Sequence, residues 1–128
     1  KELQEKLGLT YMFIAHDLNI VKYISDRIAV MYLGNLVELA PSDDIYAHTL
    51  HPYSQALLAS VPIPDPNKEA QKRAQVLSGD VPSPINPKPG CKFAGRCPHA
   101  TDRCRSETPV LREVRPNHFV ACHLVQPE

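Results

Sequence analysis

The stretch that decides the fold is FIAHDLNIVKYISDRIAVMYLGNLVELA, which spans residues 13–40. It starts inside an apolar, β-rich run, Leu9–Ala15, which is too short for a stable helix and predicts a buried strand. His16 and Asp17 end that run, and Asp17 can cap a helix over Leu18–Ile24, whose apolar residues recur at helical spacing. The sequence therefore predicts a strand, a turn and a helix in this order.

A β-hairpin is expected after this helix. Two β-rich runs, Arg27–Leu33 and Leu36–Leu39, flank the pair Gly34-Asn35. A glycine at the first central position of a two-residue loop suits a type II′ turn, so the two strands should run antiparallel.

Short helices are expected on both sides of this stretch. The chain begins with KELQEKLG, which predicts the later part of a helix that ends at Gly8. Because the first residue is Lys1 and not methionine, we expect the chain to be a fragment. Downstream, Pro41 and Pro52 each open a helix of about two turns, and the second should run through Ser60.

The composition limits the size and the partners of the fold. A chain of 128 residues has room for one domain, or for part of a domain joined to a small appendix. Its 14 basic and 14 acidic residues balance, so nothing global indicates binding to nucleic acid or to a membrane surface. The longest apolar runs are far shorter than the ~20 residues that a membrane-spanning helix needs.

Proline content divides the chain into three predicted regions. Residues 1–61 carry the elements described above, and residues 62–89 hold seven of the 13 prolines, as expected of a linker. A short helix over Lys68–Arg73 is compatible with that linker. Residues 90–128 contain every cysteine, too few large apolar residues for a core of their own, and one β-run, His118–Leu124. This last region therefore needs a cross-link such as a metal site or disulfides to hold its fold.

The four cysteines are a candidate metal set. Five, six and seventeen residues separate them, which places three in one irregular loop and the fourth on the predicted strand. Structural zinc sites usually contain a closer pair, whereas iron-sulfur clusters accept longer and uneven intervals. Spacing alone leaves open a cluster, a zinc ion, two disulfides and unliganded thiols. The cysteines are Cys91, Cys97, Cys104 and Cys122.

Three motifs together resemble one family. The run through His16-Asp17 resembles the switch-histidine region of ABC ATPases, and HPYSQALLASVPIPDP, residues 51–66, narrows the resemblance to ATP-binding subunits of oligopeptide and dipeptide importers. The cysteine-containing tail, GCKFAGRCPHATDRC followed by HFVACHL, is similar to the C-terminal extension of these subunits. The resemblance covers nearly the whole chain.

The resemblance implies an α/β fold: the C-terminal part of a P-loop ATPase core followed by a small, irregular, metal-stapled extension. It implies that His16 is the switch histidine, which contacts the γ-phosphate of ATP, although spacing alone favours a turn or core histidine. It also favours an iron-sulfur cluster of the 4Fe-4S type over zinc at the four cysteines. That cluster is expected to be structural.

The ATPase site is expected to be incomplete in this chain. No G-x-x-x-x-G-K-[ST] loop, no apolar strand ending in Asp-Glu and no LSGGQ-like signature occurs, and LSGD at residues 77–80 only mimics the last of these. ATP and magnesium are therefore expected in the intact protein, and this polypeptide alone should not hydrolyse ATP.

The resemblance implies partners that the chain does not contain. These are an identical or paralogous ATPase subunit, transmembrane permease subunits and a peptide-binding protein, in a complex that places the subunit on the cytoplasmic side of the cell membrane. A stand-alone zinc-binding regulatory module is an alternative. So is a nucleic-acid-binding module, although the short cysteine intervals of zinc knuckles are missing.

Overall fold

The computed structural model describes residues 2–61, 79–83 and 85–127, and a four-stranded antiparallel sheet in the order β1-β2-β4-β3 is central to it. In the described residues the elements follow one another as α1 Glu2–Leu7, α2 Leu18–Ile24, β1 Arg27–Tyr32, β2 Asn35–Pro41, α3 Ser42–His48, α4 Pro52–Ala59, α5 Asp102–Ser106, β3 Arg112–Arg115 and β4 His118–Val120. None of the helices in these ranges combines the length and apolar character that crossing a membrane requires.

The predicted helices α1 and α2 are confirmed with their end signals. Gly8 follows α1 with a φ of +61°, a conformation that glycine adopts without steric cost. Asp17 caps α2, since its Oδ1 accepts hydrogen bonds from the backbone N–H groups of Asn19 at 2.9 Å and Ile20 at 3.2 Å.

The predicted strand over Leu9–Ala15 is wrong. The segment has no regular secondary structure, and its apolar side chains face solvent, with Met12 91% and Ile14 85% exposed. A strand becomes stable only beside another strand that accepts its hydrogen bonds. Within the described residues the sheet contains β1 to β4 and does not include this segment.

The hairpin is confirmed, but its turn lies one residue earlier than predicted. Tyr32 pairs with Asn35, so the loop is Leu33-Gly34, with φ values of +45° and +76°. Two positive φ angles are typical of a type I′ turn, and the predicted type II′ turn at Gly34-Asn35 is wrong. Tyr32 is the last residue of β1, and its ring lies on the same buried face as Ile28 and Val30.

Both proline-led helices are confirmed. Pro41 is the residue before α3, and Pro52 is the first residue of α4, where its missing N–H costs no helical hydrogen bond. The buried Ile45 of α3 joins the core cluster formed by the hairpin.

The predicted linker lies largely outside the described residues. The helix allowed over Lys68–Arg73 falls entirely there. The described parts of the linker, residues 79–83 and 85–89, contain no helix or strand.

The cysteine-containing tail shares a sheet and a core with the first region. Strand β4 pairs with β2 through Glu38↔Val120 and Leu39↔Phe119, so the β-run predicted near His118 is confirmed for its first three residues. Phe93 is 1% exposed and packs in the core cluster of the hairpin. The tail is therefore less irregular than predicted, because it borrows core from residues 1–61. The region boundaries themselves stay a prediction.

The buried position of Ile45 generates a stability prediction. Ile45 is 2% exposed. Replacing it with alanine should lower the free energy of unfolding by about 2–5 kcal/mol, because the change removes buried methyl groups and leaves a cavity. Urea unfolding followed by circular dichroism measures this. Ile14→Ala is the matched control, and we expect it to change the free energy by less than about 0.5 kcal/mol because Ile14 is exposed. Equal losses in the two variants would contradict the packing described.

Candidate metal site

The structure brings the four predicted cysteines around one cavity. All four are free thiols; Cys104 and Cys122 are buried, and Cys91 and Cys97 are half-buried. Two histidines and several apolar groups complete the wall. The residues that line the cavity are His51, Pro52, Cys91, Phe93, Ala94, Cys97, Cys104, Cys122, His123 and Leu124.

Backbone contacts hold the first and third cysteines together. The Cys91 N–H donates to the Cys104 carbonyl at 2.8 Å, and α5 carries Cys104 on its buried side. Gly90 makes this approach possible: its φ is +91°, and a Cβ there would lie 2.5 Å from the Arg105 carbonyl oxygen. A side chain at residue 90 would therefore force the two segments apart.

Polar groups of the loop surround the sulfur atoms. Backbone hydrogen bonds from Phe93 and His99 reach the thiols of Cys91 and Cys97. The Thr101 hydroxyl lies 3.3 Å from the Cys104 sulfur. Such donors stabilise a thiolate, which is the form that binds a metal.

Burial raises the pKa of the Cys91 and Cys97 thiols. The backbone hydrogen bonds lower both values in part, and the neighbouring cysteines raise them further, because four thiolates around one cavity repel one another. A bound cation would remove this repulsion and favour the deprotonated form. The donor set therefore fits a metal centre chemically.

The arrangement is not a preformed site for a single ion. Among residues 2–61, 79–83 and 85–127, no group of three or more histidine, cysteine, aspartate or glutamate side chains is gathered so as to hold a metal ion. One zinc ion needs its four sulfur atoms at about 2.3 Å from a common point. An iron-sulfur cluster has ligands that lie farther apart. The metal role of the four cysteines stays a prediction.

A buried carboxylate beside the cavity was not predicted from the sequence. Glu38 is 0% exposed, and its Oε1 lies 2.7 Å from Nε2 of His118, which is 1% exposed. The Leu50 N–H donates to Oε1 at 2.8 Å, and the His51 N–H donates to Oε2 at 3.1 Å. The hydroxyl of Thr49 also donates to Oε2, at 3.1 Å. Both carboxylate oxygens are thus fully used.

His51 contacts both this network and the cysteine cavity. Its Nδ1 accepts the Tyr53 N–H at 3.1 Å as the N-cap of α4, and its ring centroid lies 5.8 Å from that of Phe93. Burial lowers the pKa of His51 to about 4, against a smaller opposing effect of Glu38. The imidazole is therefore neutral near pH 7. In the sequence, His51 precedes Pro52 and begins the motif of residues 51–66, and neither signal indicated that its side chain is buried.

The low pKa of His51 makes stability depend on pH. The value falls from an ordinary 6.5 in the unfolded chain to about 4 in the fold, so the unfolded chain binds the proton first. The free energy of unfolding therefore keeps its full value above pH 6.5. It decreases as the pH falls toward 4, by up to roughly 3 kcal/mol. Urea unfolding across this pH range should show the loss.

His51→Asn is the matched variant for this measurement. Asparagine is also a good N-cap residue, but its side chain does not titrate. The variant should therefore show a shallower fall in stability between pH 6.5 and 4 than the parent chain. Parallel curves for the two proteins would rule out His51 as the source.

The structure places His16 away from the cysteine cavity. It is exposed and directly precedes Asp17, the N-cap of α2. The helix behind it is anchored, because the Tyr46 hydroxyl donates to the Leu18 carbonyl at 2.5 Å and Val21 packs on the core cluster. The nucleotide-site role of His16 stays a prediction.

Comparison with known families identifies the class of protein. The sequence model described as "Oligopeptide/dipeptide transporter, C-terminal region" matches residues 37–104, which is more than half of the chain. The chain belongs to this family. The match runs from β2 to Cys104 on α5, and it includes Glu38 and His51.

Two relatives define the resemblance more closely. The oligopeptide transport ATP-binding protein OppF of Salmonella typhimurium is 52% identical over 99% of this chain, and AppF of Bacillus subtilis, with the same description, is 50% identical over 97%. The chain spans 38% of the length of each. Recognition of the family from sequence is confirmed.

Proposed function

We propose that this chain is the C-terminal part of the ATP-hydrolysing subunit of an oligopeptide or dipeptide importer, and that its tail carries an iron-sulfur cluster of the 4Fe-4S type. The family match is the observation that carries the first half of the proposal. The second half is supported by four free thiols that line one cavity.

His16 is the proposed switch histidine. It follows an apolar run and precedes a capped, anchored helix, so its backbone is held at one end. An imidazole in that position can donate a hydrogen bond toward a phosphate oxygen and stabilise charge that develops during phosphoryl transfer. ATP and magnesium would bind only in the longer protein, because the phosphate-binding loop is absent from this sequence.

The four cysteines are the proposed ligands of the cluster. When bound, the cluster would supply four metal-sulfur bonds that cross-link the loop, α5 and the segment after β4. Phe93, His99 and Thr101 would orient the thiolates through the hydrogen bonds described above. The proposed role is structural, since this tail has little apolar core beyond what it shares with the hairpin.

The proposed partners and location follow from the importer assignment. The longer protein would pair with an identical or paralogous ATPase subunit and dock on transmembrane permease subunits fed by a peptide-binding protein. It would work as a peripheral protein on the cytoplasmic side of the cell membrane. The names of the relatives, oligopeptide transport ATP-binding proteins, support this assignment.

The cluster proposal predicts a defined metal content. Protein purified without oxygen should be brown and contain about four iron and four sulfide per chain, and Cys104→Ser should lose both because one ligand is missing. Absorption spectra with iron, sulfide and zinc analysis measure this. His99→Ala is the matched control: the side chain is exposed beside Cys97, and the metal should remain. A colourless protein with one zinc would replace the cluster by a zinc site.

The switch-histidine proposal predicts loss of ATP hydrolysis in the longer protein. His16→Ala should lower the rate by about 10²-fold, because the change removes a donor aimed at developing charge. Phosphate release measures the rate, and nucleotide binding should change little. His48→Ala, at an exposed histidine near the end of α3, is the control and should retain the parent rate. A His16→Ala protein with unchanged turnover would refute the assignment.

A further inference from the structure

We propose that Glu38 is the positioning residue of the cysteine site: without being a ligand, it holds two of the three walls of the cavity in place. The inference rests on the proposed function only in taking the four cysteines to be ligands. The geometry of the Glu38 network is independent of which metal they bind.

The first wall is the segment that leads into α4. Glu38 accepts three hydrogen bonds from consecutive residues there: the Thr49 hydroxyl and the backbone N–H groups of Leu50 and His51. His51 and the next residue, Pro52, line the cavity. The carboxylate therefore fixes the backbone of a residue, His51, that itself lines the cavity.

The second wall is the segment that carries Cys122. His118 is the first residue of β4, and its Nε2 lies 2.7 Å from Oε1 of Glu38, although the two residues are 80 positions apart in the sequence. The strand then pairs Val120 with Glu38 itself, and the Ala121 N–H donates to the Val37 carbonyl at 2.9 Å. Cys122 follows directly. Its position is thus set by contacts with two adjacent residues of β2, Val37 and Glu38, and the bond to His118 is the one that uses the Glu38 carboxylate.

The third wall is built without Glu38. Cys104 is held by its own carbonyl, which accepts the Cys91 N–H, and by the Thr101 hydroxyl. Within residues 2–61, 79–83 and 85–127, the side-chain hydrogen bonds of Glu38 go to residues 49–51 and to His118, which lie outside this loop. The two buried cysteines therefore differ: Cys122 depends on Glu38, and Cys104 does not.

The chemistry of the site requires a carboxylate. Four donors converge on two oxygen atoms, and a carboxylate is the side chain that offers acceptor positions on both ends. In a Glu38→Gln protein the amide nitrogen must face either Leu50 or His51, so a part-buried or a buried backbone N–H loses its acceptor, depending on which way the amide turns. The isosteric change should loosen the walls without removing volume.

Cysteine alkylation in the metal-free chain tests the proposal. The 128-residue chain is treated with chelator and reductant, and the modification rate of each cysteine is followed by mass spectrometry of its peptides. In Glu38→Gln, Cys122 should react at least about tenfold faster because local opening exposes it, while Cys104 keeps its rate. A structural defect of the whole chain would accelerate both, and that result, or no change at either, would overturn the proposal.

Glu113→Gln is the matched control. Glu113 lies on β3 beside β4 and accepts the Asn117 N–H at 2.7 Å, but it is exposed. This change removes the same charge from a neighbouring strand and should leave both cysteine rates unchanged. Acceleration of Cys122 in the control as large as in Glu38→Gln would refute a specific role for Glu38.

Variants of His118 repeat the test from the other side of the bond. His118→Leu leaves the three contacts with residues 49–51 in place and should still expose Cys122 selectively, so it replaces Glu38→Gln if that protein does not fold. His118→Gln restores a donor and should return Cys122 toward the parent rate. Failure of this rescue, with Leu and Gln alike, would count against the hydrogen bond as the cause.

Iron retention separates this inference from the proposed function. In the metal-loaded chain, Glu38→Gln should lose iron to a chelator at least about tenfold faster than Glu113→Gln, because one ligand is less firmly placed. An unsubstituted chain that binds no metal would overturn the cluster and leave the alkylation result to decide the role of Glu38. Equal iron loss in both variants would overturn positioning.

Discussion

A single buried carboxylate organises much of this structure. Taking a carboxyl group out of water costs several kcal/mol unless hydrogen bonds replace the solvent. Glu38 is fully buried and has four such partners, three from residues 49–51 and one from His118. Because these partners come from separate parts of the chain, the network joins the hairpin, the start of α4 and the tail into one arrangement.

Aromatic packing completes this connection where the tail alone could not fold. The tail contributes Phe93, whose ring lies 5.2 Å from Tyr32, 5.4 Å from Tyr53 and 5.8 Å from His51. Three of these four rings therefore come from residues before the linker. A region with few large apolar side chains gains a core by inserting one phenylalanine into the core of another region.

Local signals explain which features could be predicted from the sequence. The Asp17 cap, the helix that begins at Pro52 and the hairpin each depend on a few neighbouring residues. The strand over Leu9–Ala15 failed because its stability requires a partner strand. The Glu38 network could not be predicted, since a glutamate in a β-run is ordinarily solvent-facing and His118 lies 80 residues away. The number and spacing of the four cysteines predicted that they lie together. The other residues that line the cavity, such as His51 and Pro52, were not predicted.

Both candidate sites depend on the same strand, β2. On one side, Glu38 of β2 fixes the walls around Cys122. On the other, β2 leads directly into α3, whose Tyr46 holds the helix after His16 through the Leu18 carbonyl and packs beneath the Lys22 ammonium at 4.9 Å. The cysteine cavity and the turn at His16 are therefore each held by elements that contact β2 or follow it directly in the chain.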